Sequence, residues 1–365
     1  MSAEADDRRF MAAAIRLALW NLGQTATNPS VGCLIVKDGV IVGRGVTALG
    51  GRPHAETQAL SDAGDKARGA TAYVTLEPCS HHGRTPPCAD ALIVSGIARV
   101  VVSVTDPDPR VSGRGLKILS DAGVAVETGV LEDEGRRALA AYLTRQMKNR
   151  PQVILKLAVS PDGMIGREGA GQIAITGPVS RAQVHVLRAE TDAILVGIGT
   201  ALADDPELTV RLTGLEEHSP IRIVLDRRLV LPSTSKMVRS AREIPVIVVE
   251  GQGHDPDTQA DLDARRAALQ SAGVEVLEAN DLDCLLFALA SRGISSLLVE
   301  GGARTARAFL DAGLVDRIVL FHGPTEIGSD GIASPLDTAD IGDEFSLVRS
   351  AVFGADRFDD YERRT

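Results

Sequence analysis

Short apolar runs rich in Val, Ile and Leu alternate with segments of helical periodicity along most of this 365-residue chain. From residue 54 onward, three helical segments are each followed by a β-branched run, namely AYVTL, RVVVSV and VAVETG. This alternation predicts sheets covered by helices, and therefore an α/β fold. The pattern stops in a charged helical stretch at residues 132–150, which we interpret as a link between domains, and it restarts after Arg150-Pro151.

Two domains are therefore expected, residues 1–147 and 148–365, as the length of the chain also suggests. The first begins with an amphipathic helix predicted over residues 8–21. Two apolar runs follow at residues 31–36 and 40–46, and Asp38-Gly39 between them predicts a hairpin turn.

The second half has its own set of alternating elements. Runs such as Val246-Ile247-Val248-Val249 are apolar on both faces, which is typical of central parallel strands. The predicted helices are residues 178–189, 258–272, 281–292 and 303–312. The predicted strands are VILKLAV, AILVG, IRIVLD, PVIVVE, VEVLE, SLLVE and RIVLF.

Composition excludes some classes of protein. A net charge of −10 and an aromatic content of 3% argue against a general nucleic-acid binder. We find neither a signal peptide nor an apolar run long enough to span a membrane, so a cytoplasmic location is expected. Four cysteines form no disulfide framework, and we expect Cys33 and Cys284 to be packed in cores.

Three potential zinc ligands and an acid stand out in the first domain. His54 and Glu56 open a predicted helix, Cys79 follows the end of a predicted strand, and Cys88 begins another helix. One imidazole and two thiolates leave a zinc position open for water, which ionises near neutral pH when bound. Glu56 is suitably placed in sequence to carry a proton from that water to a leaving amine.

The order His-x-Glu, Pro-Cys and a second Cys resembles the zinc cytidine-deaminase superfamily, although eight residues separate Cys79 and Cys88 instead of two. The eight-residue insert, together with Asn28–Gly32, Thr105–Pro109 and Gly113–Gly115, resembles the deaminase domain of the bifunctional riboflavin-biosynthesis deaminase–reductase family. The resemblance implies a cytidine-deaminase-like three-layer α/β/α domain that binds Zn²⁺ through His54, Cys79 and Cys88, with Glu56 catalytic.

The same resemblance implies a substrate site. Asn28 would bind the pyrimidine, while His81 and Arg84 would contact the ribose-phosphate side of the substrate. Arg84 has a second interpretation as a solvated loop cation. Relatives often carry a histidine seven residues before the ligand histidine, where this chain has Thr47, whose hydroxyl would replace only part of that contact.

The second domain carries four motifs, three of which run from a predicted strand into a turn. These are Leu155–Gly163, Ile194–Pro206, Leu208–Arg211 and Leu297–Arg304. The last places Gly301-Gly302 before a helix, where free N–H groups and the helix dipole attract a phosphate. None of them is the G-x-G-x-x-G fingerprint, so a Rossmann dehydrogenase is not supported.

Together these motifs resemble the reductase half of the same family, which implies a dihydrofolate-reductase-like α/β domain that uses NADPH. The implied NADPH-binding residues are Ala158, Thr200, Asp204, Gly302, Ala303, Arg304 and Thr305. The implied substrate-binding residues are Lys156, Arg188, Leu208, Arg211 and Glu300, with the arginines on the phosphate.

Three points stay open in this domain. A tryptophan common in relatives is missing near Ala174, where the chain reads QIAIT. Arg227 stands where relatives often have serine, and it either reaches the 2′-phosphate of NADPH or is solvent-exposed. The proton donor for the reduction is Lys156, Asp162 or Glu300.

The function implied is a two-step conversion. Zinc hydroxide would deaminate 2,5-diamino-6-ribosylamino-4(3H)-pyrimidinone 5′-phosphate, and NADPH would then reduce the ribosyl group to ribityl. We expect a small phosphorylated substrate, no nucleic-acid or membrane partner, and a homo-oligomer. Two alternatives remain: a nucleic-acid or free-nucleoside deaminase fused to an unrelated domain, and a binding module in which zinc is only a structural clamp.

Overall fold

The structure, a computed structural model, describes residues 3–80, 86–108, 112–169, 171–251, 259–336 and 341–364. The chain divides into two compact units, Met1–Asn149 and Arg150–Thr365. Each unit is organised around its own sheet. In the described ranges, no helix is both long and apolar enough to cross a membrane.

The first unit contains a five-stranded sheet of order β2-β1-β3-β4-β5. Strand β1 is antiparallel to β2 and β3, whereas β3, β4 and β5 are parallel. The strands are β1 Gly32–Lys37, β2 Val40–Val46, β3 Thr71–Leu76, β4 Arg99–Val104 and β5 Ala125–Thr128. The helices are α1 Ala3–Ala18, α2 Ala55–Ala63, α3 Cys88–Val94, α4 Arg114–Asp121, α5 Glu132–Ala138 and α6 Ala140–Lys148.

The predicted hairpin is confirmed, because β1 and β2 pair across a two-residue turn. Asp38 and Gly39 have φ of 51° and 76°. Positive φ at both central residues is the backbone that Asp-Gly favours, and it matches the twist of the two strands.

Helices cover both faces of this sheet, as the three-layer prediction requires. On one face, Met11 and Ala14 of α1 pack with Leu34 and Val101. The opposite face carries the larger core, to which α2 and α3 contribute. The interpretation of residues 132–150 as a link is wrong: Leu139, Tyr142 and Leu143 are buried in this larger core, so α5 and α6 belong to the first unit.

The second unit contains a nine-stranded sheet of order β11-β10-β9-β8-β12-β6-β13-β16-β15, and a two-stranded sheet of β14 and β7. The strands are β6 Gln152–Val159, β7 Met164–Arg167, β8 Ala193–Gly197, β9 Ile221–Leu225, β10 Val246–Glu250, β11 Glu275–Glu278, β12 Ser296–Val299, β13 Arg317–His322, β14 Gly331–Ala333, β15 Phe345–Phe353 and β16 Asp356–Arg363. The helices are α7 Pro178–Ala189, α8 Ile198–Asp204, α9 Lys236–Arg239, α10 Gln259–Ser271, α11 Leu282–Ser291 and α12 Ala303–Asp311.

All seven predicted strand runs of this half form strands, and the four predicted helices form helices. The seven strands from β11 to β13 are parallel. Their carboxyl ends therefore meet at one edge of the sheet, the usual place for a ligand in an open α/β sheet. The C-terminal hairpin of β15 and β16 was not predicted. The expectation for Cys284 is wrong, because this residue is exposed on α11.

Candidate active sites

The three predicted zinc ligands meet in the first unit. His54 directly precedes α2, Cys79 lies three residues after β3, and Cys88 is the first residue of α3. His54 Nδ1 lies 3.6 Å from Cys79 Sγ and 3.4 Å from Cys88 Sγ. One ligand atom from each of the three residues falls within 4.8 Å of the others.

These distances fit a tetrahedral zinc ion. Zinc–nitrogen and zinc–sulfur bonds of about 2.05 and 2.3 Å at tetrahedral angles separate the nitrogen from each sulfur by about 3.6 Å. The backbone N–H of Cys88 also donates to Cys79 Sγ at 3.3 Å, which favours a thiolate there. Three ligands of this kind leave the fourth position of a catalytic zinc for water.

Burial and hydrogen bonding shift the pKa values of the ionisable groups in this cluster. A hydrogen bond from Cys88, helped by one from His54, lowers the pKa of the Cys79 thiol to about 4 against the effect of burial. Glu56 is 4% exposed. Burial, with the negative charge of Cys79, raises the pKa of Glu56 to about 7. The carboxyl group is thus able to accept and release a proton near neutral pH.

Two glycines allow the helix that carries His54 and Glu56 to lie directly on the sheet. A Cβ at Gly43 would overlap the carbonyl oxygen of Ala59, and one at Gly45 would overlap that of Ala55. The close approach is the reason that glycine is needed at both positions of β2. It fixes the height of α2 over the sheet, and therefore the position of the ligand.

Glu77 is a site residue that sequence reasoning missed. Its buried carboxylate accepts the backbone N–H groups of Gly113 and Gly115, each at 3.0 Å, and of Asp106 at 3.4 Å. Since Glu77 lies two residues before Cys79, it ties the ligand loop to the start of α4. The motif TLEPC contains this glutamate, and its partners 29 to 38 residues away lie in the motifs Thr105–Pro109 and Gly113–Gly115, but nothing in the sequence pairs those motifs with Glu77.

Asn28 lies against the segment that leads to His54. Thr25 fixes its backbone through the Thr25 hydroxyl, which donates to the Asn28 carbonyl at 2.7 Å. Gly51, with φ of 85°, faces the Asn28 amide, and a Cβ there would overlap Asn28 Nδ2. Thr47 is buried, and its hydroxyl accepts the N–H of Val31 at 3.0 Å, so its side chain is part of the scaffold.

His81 and Arg84, the other two predicted substrate contacts, lie outside the described residues. Their roles stay predictions.

In the second unit, predicted NADPH-binding residues meet at the carboxyl edge of the sheet. Thr200 in α8 accepts the Gly302 N–H through its hydroxyl at 3.0 Å. Gly301 has φ of 100°, and a Cβ there would lie 2.9 Å from the Thr200 hydroxyl. A Cβ at Gly197 would lie 2.5 Å from the hydroxyl of Thr305. The turns after β8 and β12 thus form a cradle of backbone and hydroxyl groups, which fits a phosphate-containing cofactor.

The remaining predicted NADPH residues frame this cradle. Ala303 and Arg304 begin α12, Asp204 ends α8, and Ala158 lies in β6 beside Phe321 of β13. Arg304 is exposed, whereas Ala303 and Asp204 are half-buried. Burial raises the pKa of Asp204.

Lys156, Arg188 and Glu300 form a charged cluster at the same edge. Arg188 donates Nε and Nη2 to the two carboxylate oxygens of Glu300, at 2.9 and 3.0 Å. Burial alone would raise the pKa of Glu300, but Arg188 and Lys156 hold it at about 2. Burial lowers the pKa of Lys156, whose Nζ lies 5.7 Å from the centre of the Phe321 ring.

The segment Leu208–Arg211 lies next to this cluster. Arg188 Nη1 donates to the Thr209 carbonyl at 3.2 Å, and the Arg211 N–H donates to His185 Nδ1, also at 3.2 Å. The Arg211 side chain is 53% exposed. His185 was not among the predicted site residues, because a single histidine in an amphipathic helix carries no distinctive pattern.

The structure also shows the surroundings of Asp162, Arg227 and Ala174, the residues of the three open points in this domain. The Asp162 carboxylate accepts the Ser160 hydroxyl and the N–H groups of Ile327 and Gly328. The Ser160 hydroxyl bond is the main reason that the pKa of Asp162 falls to about 2. Arg227 is exposed beside Gly251, and Ala174 is exposed in a loop before α7.

Comparison with known proteins identifies both halves. Residues 4–104 match the cytidine and deoxycytidylate deaminase zinc-binding region, and residues 151–356 match the RibD C-terminal domain. The riboflavin biosynthesis protein RibD of Aquifex aeolicus is 43% identical over 324 residues, covering 88% of each chain. That of Escherichia coli is 42% identical over 336 residues, covering 89% of each chain.

The chain belongs to the RibD family. RibD of Acinetobacter baumannii has a similar structure, with a TM-score of 0.88 at 37% identity, covering 99% of this chain and 100% of the other. The diaminohydroxyphosphoribosylaminopyrimidine deaminase/5-amino-6-(5-phosphoribosylamino)uracil reductase of Thermotoga maritima has a TM-score of 0.86 at 34% identity, with 100% of both chains covered.

Membership in the RibD family means that this chain is a bifunctional enzyme of riboflavin biosynthesis. It has a zinc-dependent deaminase domain and an NADPH-dependent reductase domain. The predicted fold class, family and pair of cofactors are therefore confirmed.

Proposed function

We propose that the first domain hydrolyses the 2-amino group of 2,5-diamino-6-ribosylamino-4(3H)-pyrimidinone 5′-phosphate, and that the second reduces the ribosyl chain of the product to ribityl. The observation that carries the proposal is the geometry of His54, Cys79 and Cys88 around one tetrahedral position, with Glu56 buried beside them. The Thermotoga maritima relative with both named activities supports the choice of substrate.

In the deaminase, His54, Cys79 and Cys88 hold zinc and Glu56 moves the proton. Zinc in such a site is a Lewis acid that lowers the pKa of water toward neutrality. Glu56 accepts a proton as water adds to the ring carbon, and it donates a proton to the amino group that leaves as ammonia. Burial raises the pKa of Glu56 above that of an ordinary glutamate, which favours a carboxyl group that can take up a proton and give it back. Asn28 holds the pyrimidine, and His81 and Arg84 contact the ribose-phosphate side.

In the reductase, the turns after β8 and β12 hold NADPH. Thr200, Asp204, Gly302, Ala303, Arg304 and Thr305 contact the cofactor, and Ala158 lines its site. NADPH, when bound there, would supply the hydride that ends on C1 of the sugar, while the bond from C1 to the ring oxygen breaks and that oxygen takes up a proton to become a hydroxyl. Leu208, Arg211 and the Arg188–Glu300 pair border the substrate, with the exposed guanidinium of Arg211 available to its phosphate.

Lys156 is the proton donor that the charges of this cluster favour. Asp162 and Glu300 each have a pKa of about 2, so neither carries a proton at neutral pH. A lysine ammonium does carry one, and burial lowers the pKa of Lys156 toward the range useful in catalysis. The lysine then returns to its charged form by taking a proton from solvent.

The test combines three measurements on the full chain: zinc content, ammonia release and NADPH oxidation on the diaminopyrimidine phosphate. The proposal expects one zinc per chain, ammonia release, and NADPH oxidation that depends on the deaminated product. Activity on cytidine or tRNA but not on the pyrimidine phosphate would support the alternative deaminase. Zinc binding without ammonia release from any amino-pyrimidine would support the structural clamp.

A second copy of the chain is the macromolecular partner that we propose. Within the described residues, strand β15 is an edge strand of the nine-stranded sheet. It carries exposed apolar side chains. Among these, Leu347, Val348 and Val352 are 51%, 41% and 73% exposed. A strand of this kind pairs readily with another chain. Light scattering of the parent and of Val352→Lys tests the proposal, which predicts dissociation of the variant and is contradicted by a monomeric parent.

We propose a cytoplasmic location. Cysteines that serve as metal ligands, as proposed for Cys79 and Cys88, and are not paired in disulfides are typical of a reducing compartment. Cell fractionation checks this, and recovery of the enzyme in an oxidising compartment contradicts it.

A further inference from the structure

The segment Leu208–Arg211 has an unusual backbone. Leu208 has φ of 55°, in the left-handed region that a branched apolar residue rarely adopts, and its side chain is 4% exposed. Such a conformation persists only where surrounding contacts fix it. The contacts that fix this segment are therefore informative about what it does.

Three side chains hold the backbone of this segment. The Ser219 hydroxyl accepts the Val210 N–H at 3.0 Å. Arg188 donates to the Thr209 carbonyl, and His185 accepts the Arg211 N–H through Nδ1, each at 3.2 Å. His185 and Arg188 lie one turn apart on α7, so the same face of that helix holds two consecutive peptide groups.

The bond from Arg211 defines the state of the His185 ring. Because Nδ1 accepts an N–H, the neutral ring carries its proton on Nε2. Burial and the charges of Arg188 and Arg211 lower the pKa of His185, while Glu300 and the Thr209 backbone oppose them, and the net direction favours the neutral ring that can accept. If Nδ1 were protonated, its N–H would face the backbone N–H of Arg211, and this hydrogen bond would be lost.

The Arg211 side chain has few contacts that restrain its position, so the contacts of its backbone matter more. Its Nη1 contacts the exposed Glu207 at 2.9 Å and the Thr209 hydroxyl at 3.3 Å. Pairs between exposed side chains contribute little rigidity. The direction of the Arg211 guanidinium therefore depends on where its backbone is held.

We infer that His185 is a positioning residue of the reductase, which holds the Arg211 backbone so that the Arg211 side chain meets the phosphate of the pyrimidine substrate. This inference rests on the proposed role of Arg211 in phosphate binding.

The test compares His185→Ala, His185→Phe and His185→Asn in the full chain. Alanine and phenylalanine remove the acceptor, whereas the Asn side-chain oxygen stands where Nδ1 stood. With 5-amino-6-(5-phosphoribosylamino)uracil, the first two variants raise KM about tenfold, the size of one lost hydrogen bond, while kcat changes by less than about threefold. Asparagine restores KM to within about threefold of the parent.

Substrate without its phosphate separates positioning from a general packing defect. If His185 acts through Arg211 on the phosphate, the alanine variant and the parent have equal KM values for the dephosphorylated substrate. Gln183→Ala on the same helix is the matched control, with parental KM for both substrates. NADPH affinity and ammonia release stay at parental levels in all variants, which shows that both units are folded.

Three results overturn the inference: a parental KM in His185→Ala, failure of asparagine to restore KM, or a loss that persists without the phosphate. Arg211→Ala distinguishes these from a failure of the underlying proposal. If Arg211→Ala raises KM for the phosphorylated substrate and His185→Ala does not, only the role of His185 is wrong. If neither variant changes KM, Arg211 does not bind the phosphate.

Discussion

Arg188 and Glu300 are joined by two hydrogen bonds in the interior of the reductase unit, with side-chain exposures of only 12% and 10%. Glu300 directly follows β12 and precedes the Gly301-Gly302 turn, while Arg188 lies near the end of α7. The pair therefore connects the substrate side of the site to the cofactor cradle. Its loss should affect both stability and reduction.

Replacing Arg188 with Ala leaves the Glu300 carboxylate buried without its main partner. We expect the second unit to lose about 3 kcal/mol of unfolding free energy. Calorimetry checks this, with the transition of the second unit identified by its shift on adding NADPH. Arg211→Ala, which breaks an exposed pair, is the control and should cost less than about 1 kcal/mol. Equal destabilisation by both variants would contradict the account.

Lys156 should determine the alkaline limb of the reductase pH profile. A proton donor works only below its pKa, and burial lowers the pKa of Lys156 from 10.5. Reductase kcat/KM should therefore fall as pH rises through a value below 10.5. Lys156→Arg and Lys156→Met should both remove most activity, because a guanidinium keeps its charge but does not release its proton in this pH range. NADPH oxidation followed across the pH range checks this, and a parental rate and pH profile in either variant would exclude the lysine.

Gly45 should be essential for the position of the zinc ligand. A Cβ there would lie 2.7 Å from the Ala59 nitrogen and 2.9 Å from Gln58 Cβ, so α2 must move away from the sheet in Gly45→Ala. Since His54 and Glu56 move with α2, we expect zinc affinity and deaminase activity to fall at least about tenfold. Zinc titration and ammonia release measure these effects. Gly342→Ala, whose Cβ would meet only ordinary contacts, should leave both unchanged.

Removal of zinc should affect the two units differently. A ligand that binds only the folded state stabilises that state, so a chelator should lower the thermal midpoint of the first unit alone. Ammonia release should stop, while NADPH oxidation on the deaminated product continues. Calorimetry with and without the chelator, followed by zinc addition, checks this. A matching drop in the transition of the second unit would contradict it.

Much of this architecture could be predicted because local patterns carried it. Val246–Val249 is apolar on both faces and lies in a parallel strand with neighbours on both sides, and Asp38-Gly39 specifies a tight hairpin. His54, Cys79 and Cys88 were recognisable because metal chemistry restricts both residue type and flanking structure. In these cases a short stretch of chain contains the whole physical requirement.

Features that depend on tertiary contacts were not predictable. Glu77 accepts N–H groups 29 to 38 residues away, and His185 accepts one 26 residues away. Neither bond leaves a periodic signal. The charge of residues 132–148 predicts a link between domains, although Leu139, Tyr142 and Leu143 are buried. Cys284 is exposed because α11 buries the side of the helix that carries Leu285, Leu286 and Leu289, and Cys284 lies outside it.

The most direct test of the whole account is Glu56→Gln assayed separately for each step. With the diaminopyrimidine phosphate as substrate, ammonia release should fall about 10²- to 10⁴-fold while zinc stays bound. With the deaminated product as substrate, the same protein should oxidise NADPH at the parental rate. Retained ammonia release, or loss of NADPH oxidation along with it, would contradict the assignment of one proton-transfer residue and two separate active sites.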